Sequence, residues 1–554
     1  MVGAAPATMA ETLTARGGDD GVALRFEDQR WSWREVVHAG AVRAALARTF
    51  RRDGPFHVGV LLENVPEHAL WWTAACLSEL TVIALNPTRG GAELERDIAH
   101  ADCQLVVTDA AHAGQLAGAG LESDRVLLVD SPAYTDLLAG HAHAGMPPTP
   151  PPESLLALFF TSGSTGAPKA VKYSQGRMAA SAGVIPELLG LTGADVFYLA
   201  MPLFHGNSVI TNWCTAMRLG ATVVMRRRFS ASGFLPDVRH YGATYFNYVG
   251  TAVSYILATP PDPDDADNPL RVCFGTEAGT RDRRRFEERF GCDTFESYGS
   301  SEGVISIRPT PDTPQGALGP LPEGVTIADR ATLRKCPPAR FDDHGRLANA
   351  GEAVGEIVHT QGLDRFEGYY NNPDANAERS AGGWYFSGDL AYRDQQGFAY
   401  FAGRSGEMIR VHGENLTPWR IETALTRFPG AALACTYAVP HAHSGDEVMA
   451  ALALEDGADF DPAGFAEFLV TQQDLSPKAV PRYVRVTHEL PLTAAGKVSR
   501  AHIRRQGWWA AAPDDVVYWQ PDSQRHTYQR MTSDDAAALR QQFAEQGREH
   551  LLGI

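Results

Sequence analysis

Short apolar runs alternate along the chain with longer segments whose apolar residues recur at helical spacing. The runs have the length and composition of buried strands, and they cover residues 58–62, 105–108, 126–129, 156–160, 222–225, 245–249 and 272–274. Between them, the segment 33–49 places a set of apolar residues on one helical face: Val36, Val37, Val42, Ala45 and Leu46. Such alternation predicts an α/β fold in which largely parallel sheets are covered by helices.

The chain has 554 residues, which is too long for one ordinary domain. Toward its C-terminus, the runs 433–439 and 448–454 predict two strands, and 465–470 predicts a helix. These elements are typical of a small α+β unit, so the sequence predicts at least two domains.

Charge and cysteine content narrow the class of protein. The formal charge of −17 and the pI of about 5.5 argue against a nucleic-acid partner and against adhesion to anionic lipid. The apolar segment 69–78 is shorter than the roughly 18–20 residues of a transmembrane helix, and Glu67 and Glu79 flank it, so we expect a buried helix and no transmembrane segment. Seven scattered cysteines without CxxC spacing, and a start without the pattern of a signal peptide, predict a reduced, cytoplasmic protein.

The apolar run that ends at Phe160 breaks into a loop rich in hydroxyls and glycines. Its hydroxyl, glycine and lysine residues are Thr161, Ser162, Ser164, Thr165, Gly163, Gly166 and Lys169. Glycines let several backbone N–H groups turn toward one point, and the hydroxyls and the lysine add further donors there. The spacing differs from that of a Walker loop. By itself the loop suits either a polyphosphate site or a solvated turn.

Four further segments follow the loop in the order expected of one known family. They are Met201-Pro-Leu-Phe-His205, Tyr298-Gly-Ser-Ser-Glu302, Tyr385-Phe-Ser-Gly-Asp389 with Gly403-Arg404 behind it, and Pro491-Leu-Thr-Ala-Ala-Gly-Lys497. With the loop, they resemble the ATP-binding, substrate-side, adenine and magnesium, ribose, and catalytic-lysine motifs of the adenylate-forming superfamily. That superfamily contains acyl-CoA synthetases, peptide-synthetase adenylation domains and luciferases. The chain is identified as a member on these five motifs.

The resemblance implies how the domains are organised. It implies an α/β protein with a large N-terminal domain of helix-covered sheets, residues 1–403, and a small, mobile α+β C-terminal domain, residues 404–554. Gly406 stands at the family's hinge position, where Asp or Lys is common, and glycine can absorb a large backbone rotation. The segment His412-Gly-Glu-Asn415 resembles the part that lines the pantetheine tunnel after rotation.

The resemblance also implies the residues that bind ATP and Mg²⁺. Glu302 is the expected magnesium ligand, because a hard cation takes oxygen donors. Tyr298 would offer its ring to adenine, and Gly299 and Ser301 complete that motif, with the Ser301 hydroxyl toward the α-phosphate. Asp389 would accept hydrogen bonds from the ribose hydroxyls.

For the remaining site residues the resemblance leaves more than one role open. Arg404 would contact the ribose or the domain interface. Lys169 would contact the pyrophosphate or lie free on the surface. Lys497 would reach the carboxylate and the α-phosphate together and then leave as the small domain rotates. His205, beside Phe204, would either gate the acyl pocket or pack in the core.

Several phrases are similar to one branch of the superfamily, the fatty-acid transport proteins and very-long-chain acyl-CoA synthetases. They are Arg228-Phe-Ser-Ala-Ser232, Arg365-Phe-Glu-Gly-Tyr369 and Asp515-Val-Val-Tyr518. The segment Phe274-Gly-Thr-Glu-Ala-Gly279 departs from that branch at a place expected to border adenine and substrate.

The resemblance implies an ATP- and Mg²⁺-dependent ligase that joins a fatty or aryl acid to CoA through an acyl adenylate. Its expected partners are a small-molecule acid and CoA, with a homodimer possible. One alternative is a diazotase, which uses ATP and nitrite on an aryl amine. Another alternative, from a different class, is a non-catalytic fatty-acid carrier.

Overall fold

The computed structural model describes residues 6–161, 169–343, 347–404, 407, 409–411, 414–443, 445–455, 457–472, 475–493, 498–521 and 527–552. Within these residues, the N-terminal part contains two largely parallel sheets and one antiparallel sheet, and the C-terminal part contains a smaller mixed sheet. This arrangement agrees with the predicted fold class.

The first sheet is parallel except at one side. Its strands, in spatial order, are Tyr369–Tyr370, Lys169–Ser174, Leu155–Thr161, Thr81–Ala84, His57–Leu61, Cys103–Thr108 and Val126–Leu128. The strands Leu155–Thr161 and Lys169–Ser174 are antiparallel, and their register places Lys169 opposite Thr161. Both ends of the predicted phosphate loop therefore lie side by side, where these two strands meet the loop.

The second sheet is parallel apart from its last pair. Its strands, in spatial order, are Asp293–Glu296, Val272–Thr276, Tyr245–Val249, Val196–Leu199, Thr222–Met225, Val22–Phe26 and Gln29–Ser32. The strand Val22–Phe26 thus belongs to a sheet whose other strands follow it by more than 160 residues, apart from Gln29–Ser32. The predicted strands 222–225 and 245–249 have these bounds, and the other predicted strands differ by a few residues at their ends.

The third sheet is antiparallel, which the alternation of strands and helices did not predict. It contains Gly319–Pro320, Phe398–Arg404, Trp384–Arg393, Gly355–His359, Val325–Asp329 and Arg334–Lys335 in spatial order, with Ser380–Ala381 beside Trp384–Arg393. Its two longest strands lie next to each other, and their register places Asp389 opposite Arg404. Several of its strands have only two residues, too short to show a period in the sequence.

Helices cover the sheets. The α-helices are Met9–Thr14, Trp33–Thr49, Pro66–Leu77, Ala92–His100, Ala110–Ala113, Pro132–Gly140, Gln175–Leu189, Gly206–Ser208, Thr215–Leu219, Ala231–Tyr241, Gly250–Ala258, Thr280–Phe290, Ala350–Ala353, Pro373–Glu378, Pro418–Leu425, Pro462–Thr471, Arg500–Gln506 and Ser533–Glu545. Short 3₁₀ helices cover Gly114–Leu116, Ser123–Arg125, Leu363–Arg365, Pro477–Ala479 and Glu549–Leu552, and a π-helix covers Val209–Cys214.

The helix predicted at 33–49 has these bounds in the structure. The hydroxyl of Ser32 accepts a hydrogen bond from the Glu35 N–H, and the Glu35 carboxylate accepts one from the Ser32 N–H, so a capping box starts the helix. This helix packs against Pro66–Leu77, and Trp33 on the first helix and Trp71 and Trp72 on the second are fully buried. The core of the large domain therefore lies between these helices and the first two sheets.

The C-terminal sheet contains Ala431–Pro440, Asp446–Leu454, Tyr483–Thr487, Val516–Trp519 and Gln529–Arg530. The two strands and the helix predicted in this region are present, each slightly longer than predicted. Smaller two-stranded ribbons pair Tyr298–Gly299 with Ser306–Ile307 and Ile409–Val411 with Glu414–Leu416. All seven cysteines are free thiols. Among the described residues, no helix has both the length and the apolar character needed to cross a bilayer.

Candidate active site

The substrate-side segment 201–205 follows the strand Val196–Leu199 and is held by side chains from the first sheet's connections. The buried amide of Asn64 donates from Nδ2 to the Met201 carbonyl at 2.8 Å and accepts at Oδ1 from the Leu203 N–H at 2.8 Å. Trp72 Nε1 donates to the Leu203 carbonyl at 3.1 Å. These bonds determine the backbone path of the motif, and they join the two parallel sheets at this point.

His205 lies at the end of this segment. Its backbone N–H donates to the Pro202 carbonyl at 3.1 Å, and the centroid of its ring is 4.4 Å from that of the Phe204 ring. The half-buried ring is compatible with a gate for the acyl pocket and equally with core packing, so both roles stay predictions.

Glu302 is buried, with 5% of its surface exposed, and two side chains bind one of its oxygens. The Tyr369 hydroxyl donates to Oε1, and Arg379 Nη2 donates to the same oxygen at 3.1 Å. Arg379 Nε also donates to the Tyr369 hydroxyl at 2.7 Å, which closes a three-membered network. Burial alone would raise the pKa of the Glu302 carboxyl, but Arg379 and hydrogen bonds from Tyr369, Ser300 and the Glu302 N–H together hold that pKa below its usual value.

Arg379 also connects Glu302 with the ribose motif. Its Nη1 donates to the Ser387 carbonyl. The next residue, Gly388, has φ of +80°, and a Cβ there would lie 2.6 Å from Arg379 Nη1. The backbone angle at 388 favours glycine, and the absence of a side chain there leaves room for the guanidinium.

Asp389 is the second buried carboxylate of the site, with 8% of its surface exposed. The Tyr298 hydroxyl donates to Oδ2 at 2.6 Å, and Arg404 Nε lies 3.3 Å from Oδ1. Burial raises the pKa of the Asp389 carboxyl, and Arg404 and Tyr298 do not fully offset that effect. Three residues predicted to bind the nucleotide are thus in direct contact.

Arg177 supports the segment that carries Tyr298 and Glu302. Its Nη2 donates to the Ser301 carbonyl at 2.9 Å, and its guanidinium lies 3.7 Å from the centroid of the Tyr173 ring. Gly299, in the same segment, pairs with Ser306 in a two-stranded ribbon. The predicted adenine and magnesium motif is therefore anchored at its backbone.

At the phosphate loop, the structure describes only the two ends. Thr161 Oγ1 donates to the Lys169 carbonyl at 3.3 Å. Lys169 Nζ lies 3.1 Å from Glu378 Oε2 and 5.8 Å from the centroid of the Tyr369 ring, so the loop ends beside the Glu302 network. The other predicted loop residues, Ser162, Gly163, Ser164, Thr165 and Gly166, lie outside the described residues, as do Gly406 and Lys497.

Four residues of this site were not predicted from the sequence: Asn64, Arg177, Tyr369 and Arg379. Tyr369 ends a phrase that suggested the branch of the superfamily, but nothing in that phrase indicated a contact with Glu302. Arg379 lies 77 residues from Glu302 in sequence. Neither its spacing nor its neighbours form a recognisable motif, so the contact is visible only in the folded chain.

Of the two buried carboxylates of the site, Glu302 is the one that the resemblance assigns to magnesium. Among the described residues, no group of three or more His, Cys, Asp or Glu side chains could hold a metal ion. Mg²⁺ commonly takes one or two carboxylates and completes its shell with phosphates and water. Glu302 therefore fits as a ligand for Mg²⁺ that also binds a polyphosphate.

Two family models match this chain. A family model described as AMP-binding enzyme matches residues 12–370, and one described as AMP-binding enzyme C-terminal domain matches residues 420–497. The steroid-22-oyl-CoA synthetase of Rhodococcus jostii (strain RHA1) is 49% identical over 552 residues, 99% of each protein. The medium/long-chain-fatty-acid–CoA ligase FadD17 of Mycobacterium tuberculosis is 46% identical over 508 residues, 91% of this chain and 98% of that protein.

Solved structures show the same fold. ATP-bound MatB from Rhodopseudomonas palustris matches with a TM-score of 0.78 at 22% identity, over 90% of this chain and 98% of that one. A benzoate CoA ligase from Burkholderia xenovorans LB400 matches with a TM-score of 0.77 at 20% identity, over 90% of this chain and 99% of that one. The predicted family and fold class are confirmed: this chain belongs to the AMP-binding enzyme family, the adenylate-forming enzymes that its motifs resemble.

Proposed function

We propose that this protein activates an apolar carboxylic acid with ATP and transfers the acyl group to CoA. The acid oxygen attacks the α-phosphorus of ATP, pyrophosphate leaves, and the acyl adenylate forms. The thiol of CoA then attacks the acyl carbon and AMP leaves, so a thioester replaces the mixed anhydride. Relatives that are 49% and 46% identical over nearly their whole length are named as CoA ligases, which confirms the predicted ligase class.

The observation that carries the nucleotide part of this proposal is the convergence of Tyr298, Asp389 and Arg404. One hydroxyl, one carboxylate and one guanidinium lie in direct contact near Glu302. Asp389 offers the acceptors that two ribose hydroxyls need, and Tyr298 lies beside it with an aromatic face for adenine. Bound magnesium would stabilise the charge that develops on the phosphates.

The acid is proposed from the relatives. One is named for a steroid-22-oyl group and another for medium- and long-chain fatty acids. We therefore place steroid side-chain acids and fatty acids ahead of aryl acids as substrates. The same names favour CoA over nitrite, so the diazotase and the non-catalytic carrier are retained only as outcomes of the test.

The small domain supplies the moving part of the proposed mechanism. With the boundary between residues 403 and 404 and the hinge at Gly406, rotation would bring Lys497 to the carboxylate for adenylation and withdraw it for thioester formation. The cytoplasmic location and a homodimer also stay predictions.

The test is a pyrophosphate-release screen with thioester detection by mass spectrometry. Its arms are steroid side-chain acids, fatty acids of increasing length, aryl acids, and aryl amines with nitrite, each with and without CoA. We expect release with the first two classes and an acyl-CoA product only when CoA is present. Pyrophosphate release only with an amine and nitrite would establish the diazotase instead. No pyrophosphate release in any arm would favour the non-catalytic carrier.

The lysine variant separates the two steps within the same assay. Lys497→Ala should slow adenylation by about 100-fold or more, because both orientation and charge stabilisation are lost. It should spare thioester formation from a supplied acyl adenylate. Equal loss in both halves would contradict the proposed domain rotation.

A further inference from the structure

The carboxylate expected to bind magnesium already has a positive partner. Arg379 Nη2 lies 3.1 Å from Glu302 Oε1, and the two side chains are 18% and 7% exposed. A buried ion pair of this kind leaves no net charge to attract a further cation. A free divalent ion approaching Glu302 would also meet the repulsion of the guanidinium at close range.

The other cations near Glu302 each have a carboxylate of their own. Lys169 pairs with Glu378 at 3.1 Å, and Arg177 pairs with Glu367 at 3.6 Å. The local balance of charge near Glu302 is therefore close to zero among these described side chains, which argues against a metal site that forms before the nucleotide arrives.

Arg379 is also held firmly in its position. Its Nε donates to the Tyr369 hydroxyl, its Nη1 donates to the Ser387 carbonyl, and Gly388 leaves the space that Nη1 occupies. A planar guanidinium with bonds at three of its nitrogens loses little freedom when it pairs with a carboxylate. The ion pair is thus a built feature of the site.

We propose that Arg379 is a positioning residue that prevents Glu302 from binding a free divalent cation, so that magnesium reaches Glu302 only together with the polyphosphate of ATP. The polyphosphate supplies the negative charge that Glu302 lacks while it is paired. Five N–H donors allow the guanidinium to keep Tyr369 and Ser387 while its bond to Glu302 is shared. This inference rests on the proposed ATP-dependent function, and it deepens that function by setting the order in which metal and nucleotide bind.

The test measures metal binding directly, without an acid substrate. Nucleotide-free protein stripped with EDTA is titrated with Mn²⁺, and free Mn²⁺ is followed by electron paramagnetic resonance. For the wild type we expect no Mn²⁺ bound at Glu302 without nucleotide, and one ion bound when a non-hydrolysable ATP analogue is present. Because no acid is used, failure of the ligase screen would not affect this result.

The variants separate charge from structure. Arg379→Gln should raise the affinity for Mn²⁺ without nucleotide by about tenfold or more, and the double variant Arg379→Gln/Glu302→Gln should lose that gain. Arg379→Lys keeps the positive charge, so its affinity for Mn²⁺ without nucleotide should equal that of the wild type. The matched control is Arg43→Gln, because Arg43 Nε donates to Glu67 Oε1 at 2.6 Å and the Tyr134 hydroxyl donates to the same oxygen, and none of the three residues belongs to the described site; it should leave Mn²⁺ binding at Glu302 unchanged.

Two results would overturn the proposal. One is a wild-type protein that holds Mn²⁺ without nucleotide at a site that Glu302→Gln abolishes. The other is a folded Arg379→Gln protein with no more affinity for Mn²⁺ than the wild type. Should Arg379→Gln fail to fold, as judged by a thermal melt, Arg379→Met replaces it, and the wild-type titration decides the order of binding by itself.

Discussion

Two buried carboxylates in this protein have the same kinds of partner and yet differ in acidity. Glu302 accepts hydrogen bonds from the Tyr369 hydroxyl and from Arg379. Asp389 accepts one from the Tyr298 hydroxyl and pairs with Arg404. As whole residues, Glu302 and Asp389 are 5% and 8% exposed, so their burial is nearly equal.

One difference between the two clusters lies in their arginines. The side chain of Arg379 is 18% exposed, whereas that of Arg404 is 52% exposed. Water screens the more exposed charge of Arg404, and the negative charge of Glu302 acts in the same direction as burial, so the pKa of Asp389 is raised. Arg379 offsets the burial of Glu302 together with hydrogen bonds from Tyr369, Ser300 and the Glu302 N–H, and the pKa of Glu302 is lowered. The pKa of the carboxyl group in such a cluster therefore depends in part on how deeply the arginine is buried.

The largest expected contrast is in catalysis. Glu302→Gln should reduce pyrophosphate release at saturating ATP by about 100-fold or more while the fold is retained, because the proposed magnesium ligand is lost. Asp389→Asn should act mainly on the KM for ATP, because ribose recognition is weakened while the metal ligand remains. Steady-state pyrophosphate release measures both. Near-normal release from a folded Glu302→Gln protein would show that Glu302 does not bind the metal.

The second contrast is in stability. Arg379→Gln should lower the free energy of unfolding by about 3 kcal/mol, because it leaves the buried carboxylate of Glu302 without its cation. Arg404→Gln should lower it by less than about 1 kcal/mol, because that pair is partly screened by water. Urea unfolding of the nucleotide-free proteins measures both changes. Equal losses would contradict the view that burial of the cation separates the two clusters.

The smallest contrast is in the dependence of stability on pH. The pKa of Asp389 is raised in the folded protein, so its contribution to stability is present below its unfolded pKa of about 3.9 and is lost as pH rises through the folded value. Asp389→Asn should therefore gain stability relative to the wild type as pH rises. The pKa of Glu302 is lowered, so its contribution is present above about pH 4.3 and is lost as pH falls through the folded value.

As pH falls, the wild type loses this contribution and the Glu302→Gln variant does not. The stability of the variant should therefore rise relative to that of the wild type as pH falls. Urea unfolding of EDTA-treated proteins over the acid range measures both slopes. Each slope is the change with pH in the free energy of unfolding of a variant relative to the wild type. Slopes of the same sign for the two variants would show that the two carboxyl groups do not have pKa shifts in opposite directions.

The sequence predicted those parts of the molecule that local chemistry determines. The helix Trp33–Thr49 was predictable because Ser32 and Glu35 form a capping box within one turn. Tyr298, Glu302 and Asp389 were predictable because each belongs to a short motif. The contact between Glu302 and Arg379 was not, because it joins residues 77 positions apart that share no pattern. In the antiparallel third sheet, which was not predicted, three of the seven strands have only two residues and are too short to show a period.

The strand Val22–Phe26 has a consequence for how the chain is made. It pairs with Thr222–Met225 in the second sheet, about 200 residues later. At about 5–20 residues per second, a ribosome needs roughly 10–40 s to reach that partner after the first strand has emerged. During this time an apolar strand with a free edge is exposed to other chains. Expression yield should therefore depend on chaperones that shelter the nascent N-terminus, and on codons that set the pace of the next 200 residues.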